Sequence, residues 1–273
     1  MIREIIFKKF LRKARCLSEC KDLISNKYGL EIGGPSRIFS KKGLLPIYPC
    51  IGKLDNCNFS SKTIWEGQIE NGLSFNYSKN HGPGFQYILD ATELKEINSG
   101  EYEFIISSHV IEHIANPIKA LYEWIRVLKE EGILIVIIPH KDGTFDHKRK
   151  ITDLSHLISD YNSNIKENDL SHLEEILKYH DLRRDKEAGS FENFKKRSEK
   201  NFENRSLHHH VFNTYSAIKL IDYVNLKILK VEVILPFHII IIAKKLKGLN
   251  NQLLLNNFEN LKVKSPFMSD KLK

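Results

Sequence analysis

Apolar and polar positions along the first half of the chain fall into short runs separated by turn residues. Residues 28 to 32 form an apolar run that ends in Gly33-Gly34-Pro35-Ser36, the pattern of a buried strand entering a glycine turn. Residues 46 to 54 read as a second strand closed by Asp55-Asn56, residues 85 to 89 as a third closed by Asp90-Ala91-Thr92, and residues 103 to 106 as a fourth closed by Ser107-Ser108-His109. Ile114, Ile118, Leu121, Ile125 and Leu128 then recur at helical spacing as far as Glu131-Gly132. Residues 133 to 138 are a continuous run of branched residues, fit for a strand buried on both faces. Strands alternating with helices imply right-handed crossovers and a mostly parallel sheet.

The alternation stops after Pro139. Residues 141 to 210 carry 14 basic and 14 acidic residues and seven of the twelve histidines, with little apolar content for a core of their own. Beyond them, Ala217, Ile218, Ile221 and Val224 predict a helix, residues 226 to 234 a strand and residues 237 to 243 a last strand. Only Leu235-Pro236 separates these two, which requires an antiparallel hairpin, since a parallel pair needs a crossover of about a dozen residues. The tail after Lys244 is rich in Lys and Asn and is expected to be loosely held.

Composition excludes several classes. A chain of 273 residues, 41% hydrophobic and 28% charged, can bury a core without disulfide or metal staples. Cys16, Cys20, Cys50 and Cys57 form no Cys-x-x-Cys pair and are too sparse for a secreted scaffold, so a reducing, cytoplasmic location is expected. The net charge of +8 is confined to the ends: residues 1 to 24 carry +4 and 244 to 273 carry +5, leaving −1 for the body. That distribution argues against a nucleic-acid partner, whose footprint would lie on the folded face. The first fifteen residues pair Arg3, Lys8, Lys9, Arg12, Lys13 and Arg15 with Ile5, Ile6, Phe7, Phe10 and Leu11. They lack a signal-peptide core and form either a basic helix in peripheral contact with a membrane or one packed on the domain. No apolar run reaches the ~20 residues of a membrane span.

In an open parallel sheet, ligands bind beyond the carboxyl ends of the strands, and the acids and glycines above sit there. A dinucleotide site fails on its phosphate fingerprint, because Gly33-Gly34 is followed by proline and serine instead of completing Gly-x-Gly-x-x-Gly. A nucleoside without phosphates needs no such cradle. Glu31-Ile32-Gly33-Gly34-Pro35-Ser36, then Asp90-Ala91-Thr92, the segment from Ser107 through His-Val-Ile-Glu-His to Asn116-Pro117, and Glu123-Trp124-Ile125-Arg126-Val127-Leu128 ahead of Glu131-Gly132 occur in order. Over residues 22 to 140 this series resembles class I S-adenosylmethionine-dependent methyltransferases.

The resemblance implies a doubly wound, mostly parallel seven-stranded α/β sheet of the Rossmann-like methyltransferase kind, with a helical insertion after the fifth strand. It divides the chain into a basic helix at 1–24, a cofactor-binding core at 25–140 and 211–245, an insertion acting as substrate lid at 141–210, and a tail at 246–273. It implies S-adenosylmethionine as cofactor, with Glu31, Gly33, Gly34 and Pro35 at its amino-acid end, Asp55 on the ribose, Asp90 and Ala91 beside the adenine, and Ser108 and His109 near the sulfonium. Pro35-Ser36 stands where the family has its third glycine. Resemblance of the whole chain, including the His-Lys-Asp-x-Thr-Phe-Asp-His and His-His-His-Val-Phe segments, extends to a bacterial group linked with surface-polysaccharide and capsule modification. The implied acceptor is a sugar, a nucleotide-linked sugar or a capsular phosphoramidate group.

Methyl transfer is an in-line displacement that needs a covered crevice and, for an alcohol acceptor, a base. His140 at the fifth strand end is the first candidate base, followed by His109 and His147. Lys141, Asp146, Arg149, His208 and His210 are expected to contact the acceptor, the cations suiting an anionic one. No metal site is expected: neighbours among His208, His209 and His210 point to opposite faces, and His172 and His180 lie too far apart to share an ion. Two other classes compete, a non-catalytic methyltransferase-like scaffold binding through the basic tails, and a metal-dependent hydrolase built on the histidine-rich insertion.

Overall fold

The computed structural model describes residues 13–79, 81–246, 251–256 and 264–271. Its strands, in chain order, are β1 (Tyr28–Ile32), β2 (Lys53–Asn58), β3 (Lys62–Thr63), β4 (Gly67–Gln68), β5 (Gly72–Phe75), β6 (Gly84–Ile88), β7 (Tyr102–Ser108), β8 (Leu128–Pro139), β9 (Lys227–Ile234) and β10 (His238–Lys244). Its helices are α1 (Leu17–Ile24), α2 (Pro117–Val127), α3 (Leu154–Asn162), α4 (Leu173–Tyr179), α5 (Phe191–Glu199), α6 (Asn201–Asn204), α7 (Thr214–Tyr223) and α8 (Gln252–Asn256).

The main sheet runs β5-β6-β2-β1-β7-β8-β10-β9. Pairings β6 with β2, β2 with β1, β1 with β7 and β7 with β8 are parallel, whereas β10 is antiparallel to both β8 and β9, as the two-residue link requires. Six of the strands expected from the sequence are present near their predicted places, the second is displaced to β2 at Lys53–Asn58, and β5 adds an eighth, antiparallel to β6 at the outer edge. Its four residues read Gly-Leu-Ser-Phe with only Phe75 buried, too short a pattern to mark a strand.

The branched run in β8 divides between two cores by its period of two. Ile133, Ile135 and Ile137 join Phe104, Ile106, Ile240 and Ile242 on one face, and Leu134, Val136 and Ile138 join Ile105, Ile239 and Ile241 on the other. The second face is covered by α2 and α7 through Leu121, Trp124, Ile218 and Ile221. The first is covered by α1 through Cys20 and Ile24, and by the segment carrying Phe39, Leu45, Ile47, Tyr48 and Ile51. Of residues 46 to 54, expected as the second strand, only Lys53 and Leu54 thus belong to one, as the start of β2. Pro49 removes a ladder donor and Tyr48–Cys50 forms a 3-10 turn that drops apolar side chains onto the sheet.

With β2 starting at Lys53, Asp55 falls inside the strand instead of ending it. Its carboxylate is 1% exposed and accepts from Tyr28 Oη, from Tyr102 Oη at 3.0 Å and from the Phe85 amide at 2.8 Å. The rim residue of β2 is Asn58.

Residues 1–12 lie outside the described residues, so the basic helix expected there is visible only from Lys13 onward. There the chain is tied to the sheet: Glu232 accepts from the amides of Arg15 at 3.0 Å and Cys16 at 2.8 Å. Among the described residues no helix is long and apolar enough to cross a membrane. The tail expected to be loose lies partly outside the described residues, but residues 264–271 dock in the core. Asp270 is 1% exposed and accepts from Thr214 N at 3.0 Å, Thr214 Oγ1 at 2.6 Å, Ser265 Oγ at 2.6 Å and His140 Nε2 at 3.1 Å. Replacing Asp270 by alanine strands these donors in a buried site and is expected to cost roughly 2–4 kcal/mol of stability, read as a lower midpoint in urea denaturation with unchanged m value.

Candidate functional site

Strand order reverses between β1 and β7, and a cleft of about 700 Å³ opens beyond their carboxyl ends, within the range of small-molecule sites. Gly33, Pro35, Asn58, Asp90, Ala91, Ser108 and His109 line its floor. The insertion walls one side with Thr144, Phe145, Arg184, Arg205 and His208, and the hairpin of β3 and β4 brings Ile64 and Trp65 to the other. The insertion is helical, as expected, and overhangs the cleft.

The glycine turn is built from below. Glu31 is fully buried under it and accepts from Ser36 N at 3.0 Å and from Tyr48 Oη at 2.7 and 2.9 Å. Gly33 has φ +77°, and a Cβ on Gly34 would stand 2.3 Å from the Glu31 carboxyl carbon. Glu31 and Gly34 therefore shape the floor without lining it. Burial pushes the Glu31 carboxyl up to about 8, partly opposed by the hydrogen bonds from Tyr48 and Ser36.

Asp55 does not reach the cleft, for the reason given above. Asn58 holds the strand-end position instead and donates to the Gly34 carbonyl at 3.1 Å. Asp90 follows β6, turns on Thr92 at 2.9 Å (N) and 2.7 Å (Oγ1), and pairs with Arg205 of the insertion at 3.2 Å. The Ser108 hydroxyl is buried in the cleft wall with no hydrogen-bond partner. A nucleoside fits these residues: an amide and an acid at neighbouring strand ends, an unused hydroxyl, apolar Ile32, Leu89 and Val110 between them, and no phosphate cradle.

The three candidate bases separate. His140 is fully enclosed: Nδ1 accepts from Asp142 N at 3.2 Å, Nε2 bonds Asp270, and the ring stacks on Phe267 with centroids 3.9 Å apart. It does not line the cleft and is a structural residue. His147 is held by Asp181 at 3.0 Å, also off the cleft. His109 does line it, with φ +55°, but Nε2 faces His238 Nδ1 at 3.1 Å. Burial, then the neighbouring His238 and His208, drops its pKa to about 3.

Of the expected acceptor contacts, Lys141 lies off the cleft, and Arg149 and Asp146 are buried. Arg149 binds Asp146 at 3.1 Å and the carbonyls of His208 and His209 at 2.7 and 3.2 Å. His210 turns away and meets the Ala115 carbonyl at 3.1 Å. His208 alone of that group faces the cleft. Its Nδ1 lies 2.5 Å from Asp146 Oδ2, while Nε2 stands 4.0 Å from Glu112 Oε1, beyond hydrogen-bond length. Burial works against the His208 cation, but the Asp146 and Glu112 carboxylates outweigh it and raise the pKa. Asp146 is held down to about 2: burial alone would raise it, and His208 and Arg149 prevail.

Glu112 and His113 complete this corner. Burial lifts Glu112 to about 7, with His208 pulling the other way, and its Oε2 has no hydrogen-bond partner. His113 gives Nδ1–H to the Leu207 carbonyl at 3.0 Å, so its Nε2 carries a lone pair, 3.9 Å from Glu112 Oε1. The sequence carried both residues inside a motif without assigning them a role, and their partner His208 arrives from 94 or more residues away.

A sequence family described as "Methyltransferase domain" matches residues 64–136, from the β3–β4 hairpin into β8. No curated protein sequence matches the chain. Similar solved structures include a S-adenosylmethionine-dependent methyltransferase from Aquifex aeolicus, at 12% identity over 88% of this chain and 97% of that one, TM-score 0.44. A putative S-adenosylmethionine-dependent methyltransferase from Listeria monocytogenes aligns at 15% identity over 84% and 97%, TM-score 0.45. The Burkholderia thailandensis 1,6-didemethyltoxoflavin-N1-methyltransferase, with bound 1,6-didemethyltoxoflavin and S-adenosylhomocysteine, aligns at 8% identity over 85% and 79%, TM-score 0.47. At such scores these likenesses add nothing about chemistry. The family match supports an S-adenosylmethionine-dependent methyltransferase, with S-adenosylmethionine as its cofactor.

Because the folded chain keeps a proton on Glu31 that the unfolded chain releases, its contribution to stability is full below about 4.5 and declines as pH climbs towards 8. Glu31→Gln is expected to remove that decline, on the order of 4 kcal/mol at most, seen as a flatter profile of melting temperature between pH 5 and 8.

Proposed function

We propose that this enzyme methylates a hydroxyl of a small polar acceptor, and that His208, oriented by Asp146, is the base. The observation that carries the reading is the Asp146–His208 pair opening its free Nε2 into the cleft at the strand ends. It has the geometry of a base and its orienting acid.

S-adenosylmethionine supplies an electrophilic methyl group on a positively charged sulfur. Gly33, Asn58, Asp90, Ala91 and Ser108 are the residues that would hold it, with Glu31 holding the turn beneath. The acceptor hydroxyl would pass its proton to His208 Nε2 as its oxygen takes the methyl group and the sulfur leaves as a neutral thioether, and the fixed carboxylate of Asp146 would stabilise the resulting imidazolium. Arg149, spent on Asp146 and two carbonyls, keeps that carboxylate in place. The insertion and the β3–β4 hairpin exclude water from the exchange.

The acceptor side suits a sugar or nucleotide-linked sugar. Trp65, 52% exposed at the mouth, offers a flat face to a sugar ring, and Arg37 and Arg184 line the cleft where an anionic group would enter. The link to surface-polysaccharide or capsular phosphoramidate acceptors rests on the sequence resemblance.

Calorimetry is expected to show binding of S-adenosylhomocysteine to the wild type and to His208→Ala alike, while His208→Ala lowers kcat roughly 10²–10⁴-fold with sugar acceptors. In the wild type, kcat/KM should fall as pH drops below a pKa raised above the ordinary imidazole value. Asp146→Asn should move that limb to lower pH. Wild-type chain that binds no S-adenosylhomocysteine defeats the methyltransferase reading, and full turnover in His208→Ala defeats the base.

A further inference from the structure

The insertion holds a second histidine cluster, away from the cleft. His156 and Asp160 are one turn apart on α3, His172 precedes α4, and His210 lies on the segment returning to the core. One ligand-type atom from each of the four lies within 4.8 Å of the other three. His156 Nε2 is 3.1 Å from His172 Nε2 and 3.3 Å from Asp160 Oδ2, and His210 Nε2 is 3.9 Å from the same oxygen. The two shorter distances match the edge of a tetrahedron with metal–ligand bonds of about 2.0–2.1 Å.

Hydrogen bonding alone does not account for the cluster. An N–H···N contact satisfies His156 and His172, but Asp160 Oδ2 is buried, aimed at the imidazoles, and accepts no hydrogen bond. His210 Nδ1 is likewise buried without a partner, and its Nε2, which donates to the Ala115 carbonyl at 3.1 Å, exchanges that hydrogen bond for a bound ion when its proton moves to Nδ1. Native proteins seldom leave such groups unsatisfied. The insertion's own core is Ile176, Ala188, Phe194 and Leu207, none of them on α3, which packs instead on the main core through Leu157 and Ile158.

We propose that His156, Asp160, His172 and His210 bind one divalent transition-metal ion of the zinc class. Three imidazoles and a carboxylate are hard-to-borderline donors suited to zinc, and a four-ligand set from protein alone marks a structural site. The ion ties α3 to the start of α4 and to residue 210, two residues from His208, and so fixes the wall that carries the base. His156, its side chain 42% exposed, gives the ion an entry path. The sequence hid the site because its ligands span residues 156 to 210, with only His156 and Asp160 at a paired spacing. The inference does not depend on the methyl-transfer reading.

The test is metal analysis of the full-length protein by inductively coupled plasma mass spectrometry, after zinc loading and dialysis into metal-free buffer. About one tightly held zinc per chain is expected, falling at least about tenfold in His172→Ala and in Asp160→Asn. It should stay bound in His208→Ala. Since the lid variants could fail to fold, cobalt(II) loaded into the wild type provides a second readout, with the visible absorption of a four-coordinate ion expected. A wild type that retains neither ion, zinc that survives His172→Ala, or cobalt without the four-coordinate spectrum overturns the proposal.

Discussion

Parallel pairing of β1 with β2 on one side and with β7 on the other is the constraint on which the rest of the molecule depends. It sends three consecutive strand ends to one rim, and because the chain leaves β1 one way and β7 the other, no connection fills the gap between them. Polar groups gather there: the glycine turn after β1, Asn58 at the end of β2, Ser108 at the end of β7 and His109 after it. The turn keeps its shape because a buried carboxyl beneath it is bonded from Tyr48 and Ser36, so the cleft floor is tied to one hydrophobic core through Tyr48.

The insertion works by dividing a run of three histidines among three surroundings. His208 faces the cleft and Asp146, His209 meets Asn201 at 2.9 Å, and His210 joins the second cluster. Arg149 holds the first two carbonyls of that run, so a fully buried cation fixes the backbone from which all three rings project. Arg205 of the same wall pairs with Asp90 at 3.2 Å and with Glu167 at 2.8 Å, joining insertion to sheet. Much of the charge that reads as a solvated surface in the sequence is thus internal wiring.

Elements of simple period were legible: β1 at its stated bounds, the buried run of β8, α2 and the β9–β10 hairpin all follow from spacing and turn residues. The motif around Glu123 and Arg126 was legible as a landmark, and its job proves mechanical, with Arg126 donating to the Ile97 and Leu94 carbonyls at 2.9 and 2.8 Å. Asp55 misled because an acid inside a strand looks like an acid at its end unless the two tyrosines that satisfy it are known. His140 misled for a similar reason, since Asp270 is 130 residues away. His208, the base proposed from geometry, was named from sequence only as an acceptor contact. Asp146, 62 residues earlier, changes its role, and no local pattern records that pairing.

The docking of residues 264–271 bears on how the chain reaches its final state. A ribosome releases residue 140 long before residue 270, so until Asp270 arrives, His140 and the Thr214 amide must either stay hydrated or remain unpaired in a half-built interior. This buried carboxylate is thereby a closing piece, and the pocket around His140 and Thr214 reaches its native packing only late in synthesis.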